Sequence, residues 1–63
     1  MNKLPIETMQ HRVAFDIANS LAAKRDIEQR TDEFDNLYLD TLANVRKYNN
    51  ETLADVYSFI FGE

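Results

Sequence analysis

The sequence contains no cysteine and no tryptophan, one glycine and one proline. Without cysteine there is neither a disulfide framework nor a thiolate metal site. One glycine and one proline leave few turn signals, and strand-rich folds need them often, so the chain reads as mostly helical. No apolar run approaches the ~20 residues that cross a bilayer. The opening Met1-Asn2-Lys3-Leu4-Pro5-Ile6 lacks the apolar stretch of a secretory leader, so the expected location is the cytoplasm. Basic charge is also scarce, with 7 Lys and Arg against 11 Asp and Glu. A phosphate-binding footprint is missing, which argues against nucleic acid as the main partner. The same scarcity argues against docking on an anionic membrane. At 63 residues the chain holds one domain, 1–63, smaller than most catalytic scaffolds.

What is present is apolar periodicity. At 44% hydrophobic residues the chain is too apolar to remain disordered. The expected fold is mainly α, with two long amphipathic helices, about 6–29 and 32–48, and a C-terminal segment, about 51–61. Pro5 suits a first helical position, where its missing N–H costs nothing. Ile6, Met9, Val13, Ile17 and Leu21 recur at steps of three and four and draw a helical stripe. Ala14, Ala18 and Ala22 form a second row beside it, and Phe15 widens the arc further. That arc exceeds what one neighbouring helix covers. Arg12–Asp16, Lys24–Glu28 and Asp26–Arg30 would be i,i+4 ion pairs on the solvated side. In the second helix Thr31 is the expected N-cap, with Asp32, Glu33 and Asp35 against the positive helix end. Phe34, Leu37, Tyr38, Leu42, Val45 and Tyr48 form its stripe, leaving Leu39 outside. Asn49 and Asn50 mark the break.

The C-terminal segment has two readings. As a helix capped by Asn49 or Asn50, it aligns Leu53, Val56, Tyr57 and Ile60, with Gly62 as the C′ residue. As a strand, Val56-Tyr57-Ser58-Phe59-Ile60-Phe61 has high β-propensity and would pair with a second copy. Small domains usually need a staple, and oligomerisation is the one left open. The expectation is therefore an intertwined homodimer. The residues expected to make its contacts, or those with another protein, are Ala14, Ala18, Ala22, Leu39, Tyr57, Phe59 and Phe61. Small residues at i, i+4, i+8 allow close helix approach. Phe59 falls outside the apolar stripe of a helical tail, so it meets a partner or solvent.

No constellation supports catalysis, a cofactor or a metal. Glu7 and His11 sit one turn apart but supply too few ligands for zinc. Asp32, Glu33 and Asp35 lack calcium-loop spacing and its glycine. Ser20 and Ser58 have no base nearby in sequence. Asn50-Glu51-Thr52 matches the N-glycosylation pattern, and with no secretory signal read in the sequence the match is expected to be chance.

In length, acidity, lack of cysteine and the pattern of two helices before an aromatic tail, Val56-Tyr57-Ser58-Phe59-Ile60-Phe61, the chain resembles the small accessory proteins encoded in the early regions of lambdoid temperate phages. The resemblance implies a dimeric non-enzyme, made early in infection, that acts through protein contacts in the bacterial host cytoplasm. It assigns no functional residue. The functional expectation is a non-enzymatic helical protein-interaction module, a homodimer that acts as an early regulator by binding an unidentified host or phage protein. The alternative is a nucleic-acid-related regulator. That would be a DNA mimic using Asp32, Glu33, Asp35 and Asp40, or a weak DNA binder using Lys24, Arg25 and Arg30.

Overall fold

The computed structural model describes residues 4–62 and shows three helices: α1 (Ile6–Lys24), α2 (Asp32–Val45) and α3 (Asn50–Phe61). Met1, Asn2, Lys3 and Glu63 lie outside the described residues. No strand occurs among the described residues, so the C-terminal segment is a helix and the strand reading is set aside. Its ends explain why. The Asn49 side chain accepts from the Thr52 N–H at 2.8 Å, and Gly62 takes φ 72° while its N–H donates to the Ser58 carbonyl at 2.8 Å. Both ends therefore satisfy backbone groups that a strand would have left to a second chain.

α1 is shorter than its charge pattern suggests. It ends at Lys24, because Asp26 adopts a left-handed φ of 56° and turns the chain. The Ile27 N–H then donates back to the Ala22 carbonyl at 2.9 Å, the six-to-one bond of a Schellman ending. Ile27 packs on the cluster of Ala18, Ala22 and Phe34, which supplies the apolar contact that accompanies such an ending. Lys24–Glu28 and Asp26–Arg30 consequently lose their helical spacing. α2 starts where its cap requires. The Thr31 hydroxyl accepts from the Phe34 N–H at 3.1 Å and donates to the Glu28 carbonyl at 2.7 Å. Its end comes at Val45, three residues earlier than the apolar stripe implies. Lys47 and Tyr48 N–H groups instead bond the Asn44 and Val45 carbonyls, tightening the last turn. Pro5 is the residue just before α1, with its carbonyl accepting from the Met9 N–H at 3.1 Å.

The core gathers on α1. Val13 and Ala14 pack with Leu42 and Val45 of α2 and Leu53 and Tyr57 of α3. Ala18 and Ala22 pack with Phe34 in a second cluster, and Tyr38 bridges the two. The alanine row is the centre of the buried face, and of the Ile6 stripe only Val13 is fully buried beside it. Ala14 and Ala18 are fully buried, whereas Ile6 is exposed and Met9, Ile17 and Leu21 are half-buried. Alanine removes side-chain bulk there, so a bulky ring such as Phe34 can seat against the helix. The wide arc of α1 is covered from two sides by α2 and α3 of the same chain.

Candidate interaction surface

The open surface that remains is aromatic. A shallow depression of about 590 Å³ lies along α1, lined by His11, Arg12, Phe15, Asp16 and Asn19, with Tyr38 of α2 and Phe61 of α3 on its flanks. The five α1 positions follow helical spacing, so they present one ridge outside the buried alanine row.

Each flank is held by a polar contact to α1. Tyr38 Oη and His11 Nδ1 are 2.5 Å apart, with the rings stacked at 6.1 Å between centroids and 30° between planes. Arg12 donates to the Tyr57 hydroxyl at 3.1 Å. Tyr57 in turn holds Phe61, with centroids 4.6 Å apart. Phe15 meets Phe34 and Tyr38 edge-on, at 6.0 and 6.2 Å, the geometry that aromatic quadrupoles favour. A Gln29 to Asn19 side-chain hydrogen bond ties the α1–α2 connection to the end of the ridge. Phe15 and Phe61 nevertheless remain 47% and 40% exposed, so half of each ring faces solvent from a fixed position.

The expected contact residues separate into two groups. Ala14, Ala18, Ala22 and Tyr57 lie inside the chain's own core and present almost no surface to a second molecule. Leu39, Phe59 and Phe61 lie on the surface. Phe59 is 90% exposed, on the side of α3 away from Leu53 and Tyr57. The C-terminal end of α3 is therefore aromatic on both sides, Phe61 toward the depression and Phe59 away from it.

His11, Arg12 and Tyr38 were not legible as neighbours. Their contacts join positions far apart in sequence, and no local period encodes them. Phe15 was visible only as a widening of the apolar arc.

Thr41 is buried, and its hydroxyl donates to the Leu37 carbonyl at 2.8 Å. Among the described residues no buried polar side-chain atom lacks a partner. No group of three or more His, Asp or Glu among them is placed to hold a metal ion. None of their helices is long and apolar enough to cross a membrane. Asp32, Glu33, Asp35 and Asp40 are exposed, the first three in the first turn of α2, where the helix end favours acid. No family model matches the chain, and no curated protein or solved structure is significantly similar to it.

Proposed function

We propose that the chain is a non-enzymatic helical interaction module that docks another protein through the aromatic C-terminal end of α3. The observation that carries this reading is Phe59, 90% exposed on a helix capped at both ends. A mobile tail could hide such a ring by local collapse, but a capped helix holds it in water. Burying one phenylalanine side chain gains about 1.5–3 kcal/mol, which a docking partner recovers and the isolated chain forgoes. Phe61 and Phe15 supply a second apolar area, at the depression on the other side of α3. A few fixed aromatic anchors are what an interface needs to gain affinity from small area.

The partner is a host or phage protein met in the bacterial cytoplasm, and the chain acts as an early regulator by occupying it. Self-association of the same kind belongs to this reading. The acidic edge gives little support to DNA mimicry, because three of its four carboxylates are accounted for by the α2 terminus.

The test compares the wild type with Phe59→Ser as baits in bacterial lysate, at low and high salt. A partner held by the wild type at high salt and lost by Phe59→Ser supports the reading. Capture that is unaffected by Phe59→Ser and collapses with salt refutes it in favour of a charged interface.

A further inference from the structure

The two connections of the fold are built differently. Between α1 and α2 the chain is locked by the left-handed Asp26, the Schellman bond of Ile27 and the Thr31 cap. Between α2 and α3 the one lock of this kind is the Asn49 cap on the Thr52 N–H. Arg46 already has helical angles, φ −65° and ψ −13°. No residue from Arg46 to Asn49 has positive φ, and none is glycine or proline. Lys47 and Tyr48 continue in tightened turns onto Asn44 and Val45. Asn49, whose ψ of 166° is extended, is the last residue before α3.

We infer that this hinge opens, and that the groove occupied by α3 also receives α3 of a second copy, giving an intertwined dimer by exchange. If Asn49 turns helical, α2 and α3 merge into one helix running from Asp32 to Phe61. At 1.5 Å per residue it is about 45 Å long, more than the 35 Å longest extent of the closed chain. Its distal half then lies beyond its own α1. Leu53 and Tyr57, 1% and 5% exposed when closed, leave Val13, Ala14, Leu42 and Val45 uncovered. A second opened copy restores every one of those contacts, and Arg12 of one chain then donates to Tyr57 of the other. The opened form is therefore populated only as a pair. Exchange of an identical element through a short hinge is a low-cost route to a dimer. It replaces the Asn49 cap bond by regular helical backbone bonds, so the hinge and not the interface sets the balance.

This inference does not rest on the exposed aromatic face, since Phe59 takes no part in it. The experiment refolds a mixture of isotope-labelled and unlabelled wild-type chains at millimolar concentration and separates any dimer by size. Contacts between the Tyr57 ring of one chain and the Ala14 methyl of the other are expected in the dimer. Asn49→Ala removes the cap at both hinges and should raise the dimerisation constant by roughly tenfold or more. A Gly-Ser pair inserted between Tyr48 and Asn49 should give a folded monomer. A dimer whose α1–α3 contacts all stay within one chain overturns the inference. So does a wild type that is monomeric at millimolar concentration, or a lengthened hinge that dimerises as before. An Asn49→Ala chain that fails to fold leaves the wild-type mixture and the lengthened hinge to decide.

Discussion

Replacing Ala18 by leucine probes the feature on which the packing depends most. Ala18 is fully buried against Phe34 and Ala22. Leucine adds three carbons where no exposed volume exists, so α2 must move or side chains must leave their preferred rotamers. Overpacking of this kind costs about 1–3 kcal/mol. Helix propensity contributes little to the difference, because leucine is nearly as good a helix former as alanine. For 63 residues at the usual 0.05–0.15 kcal/mol per residue, total stability is roughly 3–9 kcal/mol, so the loss is a large share of it. In a domain this small, each 1 kcal/mol shifts Tm by about 4–8 °C. Thermal and urea unfolding followed by circular dichroism reads the effect. Ala23→Leu, one residue from the buried Ala22 but exposed, is the matched control and should stay within about 0.5 kcal/mol. Equal midpoints for Ala18→Leu and the wild type would refute the claim that the alanine row carries the helix contact.

Asp26→Gly relieves a left-handed residue and removes an acid from the negative end of α1, so it should stabilise the fold by ~1 kcal/mol in urea unfolding. Thr31→Ala removes the α2 cap and should cost about 0.5–2 kcal/mol in the same assay, whereas Thr31→Asn should cost much less. A chain ending at Asp55 loses Val56, Tyr57 and Ile60 from the core and should lose cooperative unfolding along with any dimer, visible as a sloping melt. Phe59→Ser should leave the melting midpoint within about 0.5 kcal/mol of the wild type, since the ring touches solvent and not the core.

The capped elements were the legible part of the fold. Thr31, Asn49 and Gly62 carry signals within a few residues of the backbone groups they satisfy; the structure uses Thr31 and Gly62 as read and Asn49 of the two asparagines offered. The end of α1 was not legible, because Asp26 takes a backbone conformation that glycine usually marks, and its charge spacing with Arg30 mimicked a continuing helix. The buried centre of α1 was misplaced for a related reason. Hydrophobicity ranks Ile6 and Leu21 above alanine, but close approach of Phe34 selects the smallest side chains. The α1 arc was read as wider than one neighbouring helix covers, and the sequence alone could not say that α3 of the same chain covers the rest. At the candidate surface Phe59 was legible by its position off the α3 stripe. The depression beside Phe61 was not, since its walls depend on Tyr38 meeting His11 and Tyr57 meeting Arg12 across the fold.

Chemical-shift mapping of the labelled chain, with and without the partner it captures, tests the proposed docking surface most directly. The account predicts that the perturbed amides and ring signals cluster at Phe59 and Phe61, at the C-terminal end of α3. Perturbations confined to Asp32, Glu33, Asp35 and Asp40, or to Lys24, Arg25 and Arg30, with Phe59 unchanged, would contradict it.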